Sequence, residues 1–202
     1  MNRAKSQRRF VFACLAPAVI LVALFMFWPT VNVFRMSLYR MGGITNRKEF
    51  IGLQNFKTLM EDKNFLEAMQ NTILIIVMVM IFTIVFAILF AAILQRGKFK
   101  GKNFFRVIFY IPNILSIVVI GGIFGAIYDP SNGLLNTFLE AVHLDFLTHK
   151  WMGEPKIVIY SIIFALVWQA IGYYMVMYMS GMSAIPEDLY EAASLDGSSE
   201  IN

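Results

Sequence analysis

Four long apolar segments constrain the fold of this chain more than any other feature. They have 19 to 25 residues each and comprise 10–28, 72–94, 104–128 and 157–180. Because an α-helix rises about 1.5 Å per residue, about 20 apolar residues suffice to cross the hydrocarbon core of a bilayer. Lipid offers no hydrogen bonds to the backbone, so only helices and closed barrels can span it. The segments lack the alternating polarity of barrel strands, and we predict an all-α integral membrane protein with four transmembrane helices.

Composition excludes several other classes of protein. Of the 202 residues, 58% are hydrophobic and 15% are charged. A soluble domain has about 25% charged residues, and this chain has too few polar residues to cover a water-facing surface. Cys14 is the single cysteine, which excludes a disulfide framework. A cleaved signal peptide is disfavoured because the first apolar segment exceeds the usual length of about 7–15 residues and ends in Phe27-Trp28-Pro29 instead of small residues.

The distribution of Lys and Arg predicts the orientation of the chain. Residues 1–10 carry four basic residues and 95–106 carry five, whereas the longer loops 29–71 and 129–156 carry six and two. Short segments rich in Lys and Arg stay in the cytoplasm. We therefore expect a cytoplasmic N-terminus, a cytoplasmic 95–106 loop and a cytoplasmic tail, 181–202. The net charge of +4 follows from this topology, and we expect no nucleic-acid partner.

The tail 181–202 differs from the other cytoplasmic segments in its charge. It contains five carboxylates and no Lys or Arg. A helix end that meets anionic lipid would not favour so many carboxylates, so we expect the tail to contact protein.

Residues 186–196 have the pattern of a short helix. Pro186 fits the first turn, where a missing N–H costs nothing, and Gly197 suits the left-handed residue that follows a helix. The apolar stripe between them consists of Leu189, Ala192, Ala193 and Leu195. A helix shorter than about 12 residues is marginal in water, so this one must dock on a partner.

The same segment resembles a known motif. Residues 185–197 read I-P-E-D-L-Y-E-A-A-S-L-D-G and look like the EAA loop, E-A-A-x-x-x-G, of permease subunits from binding-protein-dependent ABC importers. The flanking Ile-Pro and Leu-Asp-Gly are similar to the carbohydrate-uptake branch, of the maltose and glycerol-phosphate type. Weaker pieces that resemble this branch are 52–56 (G-L-Q-N-F), 71–72 (N-T), 133–136 (G-L-L-N), Trp168 with Gly172, and Gly181-Met182.

The resemblance implies a six-helix permease bundle in which the EAA loop follows the fourth helix. The whole chain, 1–202, would then be one permease domain that is incomplete at its C-terminus, with 181–202 as the cytoplasmic coupling segment. Its function would be that of a membrane-spanning permease subunit, which forms half of a pathway for a sugar or sugar derivative. The alternatives are a structural or regulatory membrane subunit and a truncated permease without transport activity.

The resemblance also implies the partners. A second permease subunit would complete the pathway, two cytoplasmic ABC ATPase subunits would hydrolyse ATP, and an extracytoplasmic substrate-binding protein would deliver the substrate. The complex would lie in the cytoplasmic (inner) membrane of a bacterium or archaeon. The ATPase-coupling residues would be Pro186, Leu189, Glu191, Ala192, Ala193, Asp196 and Gly197.

The chain itself is expected to be neither an enzyme nor a cofactor-binding protein. A phosphate-binding loop needs G-x-x-x-x-G-K-[ST], and Gly97-Lys98 and Gly101-Lys102 lack that pattern. ATP would therefore be bound by the partner ATPase subunits. His143 and His149 are six positions apart and would not share a helix face, so we predict no metal site.

Polar side chains within the apolar segments are candidates for the substrate pathway, because such groups tend to face the protein interior or a cavity. Asn113 and Gln169 offer amides that can pair with sugar hydroxyls. Trp168 and Tyr173 offer aromatic faces for stacking beside Gln169. The alternative is that these residues form hydrogen bonds and packing contacts between helices. Asn113 follows Pro112, so it can instead satisfy a backbone group that a proline kink frees.

Two further stretches lie in the loops predicted to face outward. Residues 53–69 are predicted to form a surface helix, and residues 134–144 are amphipathic. Both stretches would either face the binding protein or cap the bundle.

Overall fold

Two compact units make up the chain. The structure is a computed structural model and describes residues 2–41, 48–96 and 101–197. One unit comprises residues 1–69 and the other comprises 70–202. Most of the described residues are helical, which confirms the predicted all-α class. The single permease domain over the whole chain stays a prediction.

The elements are named in chain order. The first unit contains α1 (Asn2–Val22), a π-helical turn (Ala23–Phe27), α2 (Trp28–Met36), the strands β1 (Tyr39–Met41) and β2 (Lys48–Phe50), and α3 (Gln54–Glu61). Helix α4 (Lys63–Arg96) begins in the first unit and continues into the second. The second unit then contains α5 (Lys102–Ile114), α6 (Ile117–Ile127), α7 (Leu134–Ala141), a 3-10 turn (Asp145–Leu147), α8 (Val158–Ser183) and α9 (Glu187–Leu195).

The long helices correspond to the four predicted apolar segments. Among the residues that the structure describes, three stretches are long and apolar enough to cross a membrane, namely Gln7–Met36, Lys63–Gln95 and Val158–Ser183. They match the predicted segments 10–28, 72–94 and 157–180. Helices α5 and α6 supply a fourth span if this bent pair is counted as one.

The first helical stretch contains two prolines, Pro17 inside α1 and Pro29 at the start of α2. Proline has no N–H to donate, and its ring clashes with the carbonyl four residues earlier in a regular α-helix. The π-helical turn directly precedes α2 and leaves Pro29 in the first turn of that helix, where proline is tolerated. The helical stretch therefore continues to Met36, beyond the predicted end at residue 28.

The antiparallel hairpin of β1 and β2 is not predicted from the sequence. Tyr39 lies opposite Phe50, and their rings meet edge to face with centroids 5.3 Å apart. Gly52 follows the hairpin with a φ of +58°. The Asn55 amide then donates to the carbonyl of Ser37 at 2.7 Å and to that of Tyr39 at 3.1 Å. The G-L-Q-N-F stretch thus holds α3 against the hairpin.

Residues 53–69 form α3 and the first turns of α4 instead of one surface helix. The break lies at Asp62, whose backbone is extended. Its carboxylate accepts hydrogen bonds from the N–H groups of Asn64 at 2.9 Å and Phe65 at 3.4 Å. A carboxylate in this position caps the start of a helix, so α4 begins at Lys63 and runs without interruption through the second apolar segment.

The third apolar segment, 104–128, is not one straight helix. Helices α5 and α6 meet at an angle of 103°. The break follows Pro112, and Leu115 and Ser116 are extended with ψ values of 144° and 151°. The Ser116 hydroxyl accepts a hydrogen bond from the N–H of Val119 at 3.3 Å and caps α6. Ser116, and not Asn113, therefore satisfies the backbone at this break.

A close crossing of α5 and α8 organises the second unit. Gly172 of α8 lies directly against the backbone of Phe109, and a Cβ at Gly172 would overlap the Phe109 carbonyl oxygen. Small residues allow such approaches between helices in a membrane, where no hydrophobic effect drives them together. The Phe109 ring also packs on Phe90 of α4, with centroids 4.9 Å apart.

Helix α4 offers a buried stripe of small residues to this crossing. Thr83, Ala87 and Ala91 recur every four positions and are buried. Ala87 and Ala91 belong to the same apolar cluster as Met175 and Met179 of α8. The stripe lets the methionines of α8 approach the backbone of α4.

Replacing Gly172 by alanine should force α5 and α8 apart. The added methyl group would overlap the Phe109 carbonyl oxygen, and overpacking of this kind costs about 1–3 kcal/mol. We expect a lower midpoint of thermal unfolding for Gly172→Ala, measured in detergent by size-exclusion chromatography after heating. Gly181→Ala is the matched control, because a Cβ at Gly181 of the same helix meets no atom within 4 Å. Equal midpoints for the two variants would contradict the close crossing.

Candidate functional site

Helix α9 corresponds to the helix predicted within the coupling segment. It spans Glu187–Leu195, close to the predicted bounds 186–196. Pro186 precedes its first turn, and the Pro186 carbonyl accepts a hydrogen bond from the N–H of Leu189 at 3.2 Å. Gly197 has a φ of +79°, which suits the residue that reverses the chain after a helix. The predicted helix and its terminating glycine are confirmed, whereas the coupling role stays a prediction.

The apolar residues of α9 are open to the surroundings. Leu189 is 61% exposed, Leu195 is 87% exposed, and Ala192 is exposed as well. The exposed acidic residues of this region are Asp188, Glu191 and Asp196. An apolar surface with an acidic rim suits a protein partner and does not suit anionic lipid. The side chain of Ala193 and residues 198–202 lie outside the described part of the chain.

The short connection from α8 to α9 lies beside two other helix ends. Ser183 is the last residue of α8, and residues 184–186 lead to α9. The Ser183 hydroxyl accepts a hydrogen bond from Nε2 of Gln95 in α4 at 2.8 Å. Oε1 of Gln95 accepts one from Nζ of Lys102 in α5, also at 2.8 Å. We call Gln95, Lys102 and Ser183 the Gln95 clasp. Residues 97–100 of the predicted basic loop lie outside the described residues.

Near the other end of α8, a buried amide joins several segments. Asn136 of α7 donates to the carbonyl of His149 at 3.0 Å and accepts from the indole N–H of Trp151 at 2.8 Å. The carbonyl of Trp151 accepts from the hydroxyl of Ser161 in α8 at 2.9 Å. The Tyr128 hydroxyl at the end of α6 donates to the Ser161 carbonyl at 3.2 Å. These five residues, the Asn136 network, tie the segment after α7 to α6, α7 and α8.

A tight turn leads from α6 into α7. The Asp129 carboxylate accepts hydrogen bonds from the N–H groups of Asn132 and Ser131, each at 2.9 Å. These bonds hold the pKa of Asp129 below its usual value, and the bond from Asn132 contributes most. The carboxylate therefore stays ionised at neutral pH. A Cβ at Gly133 would overlap the Asp129 carbonyl oxygen. The G-L-L-N stretch therefore supplies both the glycine of this turn and the amide of the Asn136 network.

An aromatic groove lies next to the Asn136 network, between α6 and α8. Its volume is about 470 Å³, within the range of about 300–1,000 Å³ for small-molecule sites. Trp168 meets Phe124 edge to face, with ring centroids 5.4 Å apart. The aromatic residues that line the groove are Phe124, Tyr128, Trp151, Tyr160, Phe164 and Trp168. Ring faces dominate this lining, and the Tyr128 hydroxyl and the Trp151 N–H already form hydrogen bonds within the Asn136 network.

The structure brings the predicted pathway residues only partly together. Trp168 lines the aromatic groove. Asn113 and Gln169 are half-buried. Each lies about one helical turn from the crossing of Phe109 and Gly172. Since α5 and α8 run antiparallel, both residues lie towards the same end of the helix pair. Tyr173 is exposed, and its ring meets that of Tyr174 with centroids 5.3 Å apart. Tyr173 is not among the described residues that line the groove.

Neither the Gln95 clasp nor the Asn136 network is predicted from the sequence. Asn136 belongs to a stretch that resembles a family motif. The motif indicates that the position matters but does not indicate which groups the amide binds. Gln95 and Ser183 are 88 positions apart, and no local pattern links two residues at that distance.

Comparisons with known proteins give consistent matches. The family model described as binding-protein-dependent transport system inner membrane component matches residues 83–202. The probable ABC transporter permease protein YurN of Bacillus subtilis is 36% identical over 188 residues, which cover 93% of this chain and 64% of that protein. The lactose transport system permease protein LacF of Rhizobium radiobacter is 30% identical over 183 residues, which cover 91% of this chain and 60% of that protein.

A solved structure has the same fold. It is that of a bacterial ABC transporter involved in the import of the acidic polysaccharide alginate. The TM-score is 0.80 at 25% sequence identity, and the match covers 96% of this chain and 64% of that chain. This chain thus spans less than two thirds of the length of each of these three proteins.

Truncation of Asn136 should release the segment that carries His149 and Trp151. A buried donor or acceptor that loses its partner costs about 1–3 kcal/mol. We expect faster hydrogen exchange in Asn136→Ala at the His149 amide, which donates to Oδ1 of Asn136 at 3.4 Å in the structure. The control is Asn132→Ala, because Asn132 is exposed and holds its turn through its backbone N–H. Unchanged exchange in Asn136→Ala would contradict the role of the network.

Proposed function

The chain belongs to the family of binding-protein-dependent transport system inner membrane components, and we propose that it is the membrane-spanning permease subunit of an ATP-driven importer. The observation that carries this proposal is α9, a short helix just after α8 with exposed leucines and an acidic rim. Such a helix needs a partner, because nine residues are too few for stability in water. The partner in this proposal is a cytoplasmic ATPase subunit.

The transporter would have the composition that the resemblance implies. A second permease subunit supplies the other half of the pathway, two cytoplasmic ABC ATPase subunits bind ATP, and an extracytoplasmic binding protein delivers the substrate. No catalytic step is assigned to this chain. The four basic residues within residues 1–10 support a cytoplasmic N-terminus in the inner membrane of a bacterium or archaeon.

The fold suggests how motion at α9 reaches the membrane. Closure of the ATPase pair displaces α9 and, through three connecting residues, the end of α8. Helix α5 must follow, because the contact at Gly172 leaves no room for the two backbones to slide. The extended residues Leu115 and Ser116 form the hinge at which α6 changes its angle to α5. The aromatic groove between α6 and α8 then changes shape.

A sugar or sugar derivative is the proposed substrate. The name of LacF refers to lactose and that of the similar structure to alginate, which supports a carbohydrate. In the proposed pathway, Trp168 stacks on a sugar ring and the amides of Gln169 and Asn113 pair with its hydroxyl groups. Tyr173, one helical turn beyond Gln169, supplies a further exposed ring.

Substitutions in the coupling segment should weaken binding of the ATPase. Glu191→Lys reverses a charge of the acidic rim, and Gly197→Asp places a side chain on a residue with a φ of +79°. We expect about a tenfold fall in the ATPase subunit recovered with the affinity-purified chain, equivalent to about 1.4 kcal/mol. Glu61→Lys, at the exposed end of α3, is the matched control. Full recovery with both variants would refute coupling through α9 and favour a structural or regulatory subunit.

Trp168 should be accessible to water in the assembled transporter, because a pathway for sugars is hydrated. One variant keeps Trp168 as its single tryptophan (Trp28→Phe with Trp151→Phe). A second keeps only Trp28, the exposed first residue of α2. Acrylamide is expected to quench Trp168 fluorescence more strongly than Trp28 fluorescence, and brominated lipid to do the reverse. If brominated lipid alone quenches Trp168, the residue faces lipid and not the pathway.

A further inference from the structure

One side chain joins the ends of three helices. Gln95 lies in the last turn of α4, and its amide donates to the hydroxyl of Ser183 at the end of α8 at 2.8 Å. Its carbonyl accepts from the ammonium of Lys102 in the first turn of α5 at 2.8 Å. Each bond has the length of a strong hydrogen bond. The Gln95 clasp thus uses both ends of one amide to connect α4 with α5 and α8.

The electrostatics of the clasp explain the position of its lysine. A cation in the first turn of α5 is unfavourable for the macrodipole of that helix. The C-terminal ends of α4 and α8 carry the opposite partial charge and lie at the same place, so together they favour an ammonium group there. Hydrogen bonds from an ionised donor are also about twice as strong as neutral ones.

Ser183 is fixed on both sides. Its hydroxyl donates to the carbonyl of Met179 at 2.8 Å while it accepts from Gln95. Directly after it, the N–H of Ala184 donates to the carbonyl of Gly181 at 3.1 Å, and the N–H of Ile185 donates to the carbonyl of Met182 at 3.3 Å. The chain between the clasp and α9 is therefore short and hydrogen-bonded, so a displacement of α9 acts on Ser183 with little slack.

Without the clasp, the end of α8 would meet α4 through apolar contacts. Met175 and Met179 pack on Ala87, Ala91 and Leu94. Apolar contacts are non-directional, and methionine adapts to changed surroundings, so they resist sliding of α8 along α4 weakly. The bonds of Gln95 are directional and would break on such sliding.

We propose that Gln95, Lys102 and Ser183 are positioning residues that make the end of α4 move with α5 and α8 when α9 is displaced. This inference rests on the proposed coupling role of α9. In this proposal the clasp residues contact neither substrate nor nucleotide. Its loss would free α4 from α5 and α8, which the contact at Gly172 still holds together, so that ATP hydrolysis continues while α4 no longer moves with that pair.

The test is a distance measurement in the complete transporter. Spin labels at Ile93→Cys in α4 and Met177→Cys in α8, both exposed positions, are introduced with Cys14→Ser. Double electron–electron resonance is recorded without nucleotide and after trapping with ATP and vanadate. With the clasp intact we expect the same distance in both states. In Gln95→Leu, and to a lesser degree in Ser183→Ala, we expect the trapped state to shift by more than about 2 Å, beyond the usual helix displacements at interfaces.

Further variants separate positioning from general stability. Lys102→Met removes one of the two bonds of Gln95 and should give a smaller shift, as in Ser183→Ala, whereas Lys102→Arg keeps a charged hydrogen bond and should keep the distance constant. Lys156→Met removes an exposed lysine near the start of α8 and is the matched control. Ser183→Ala removes one hydroxyl and keeps the helix, so it gives a reading even if Gln95→Leu fails to fold.

The outcomes distinguish this inference from the proposed function. If the wild-type chain recovers no ATPase subunit, the proposed function fails and the clasp has no coupling role. If the ATPase is recovered and hydrolyses ATP, a distance that stays constant in Gln95→Leu and Ser183→Ala overturns the clasp alone. A distance that already shifts in the wild type overturns it as well.

Discussion

The contact between Gly172 and the backbone of Phe109 is the constraint on which the second unit depends. It brings α5 and α8 together without a side chain between them, so neither helix can slide unless the pair first separates. One turn further along α8, Met175 is fully buried in the cluster that it forms with α4. Lipid-facing helices gain little from burying apolar surface, and this one close approach therefore sets the level at which the remaining contacts form.

Hydrogen bonds hold the helices of the second unit together near its two ends, which lie away from the crossing of α5 and α8. The Asn136 network holds the segment after α7 on α6 and α8, and the Gln95 clasp joins three helix ends beside α9. Between these ends, the break at Leu115 and Ser116 is the place where the helical backbone changes direction. A unit with two fixed ends and one hinge can pass a displacement from α9 to the aromatic groove, as the proposed function requires.

Much of this could be predicted from the sequence because it depends on local patterns. The long apolar helices follow from segment length, and α9 with Gly197 follows from a proline, an apolar stripe and a glycine. The hairpin at Tyr39–Met41 could not be predicted, since its strands have three residues each and no clear alternation. Pro112 indicated a kink, but the 103° angle and the cap at Ser116 depend on packing. The clasp and the network join residues that are far apart in sequence, which periodicity does not detect.

The most direct test of coupling through α9 is a cross-link from that helix. A photoreactive amino acid replaces Leu195, which is 87% exposed, in the complete transporter in native membranes. Irradiation followed by mass spectrometry then identifies what lies beside this position. We expect a cross-link to the ATPase subunit, and a matched label at Leu53, which is 70% exposed before α3, should not give it. Cross-links from Leu195 to lipid or to this chain alone would contradict the claim that α9 couples the permease to ATP hydrolysis.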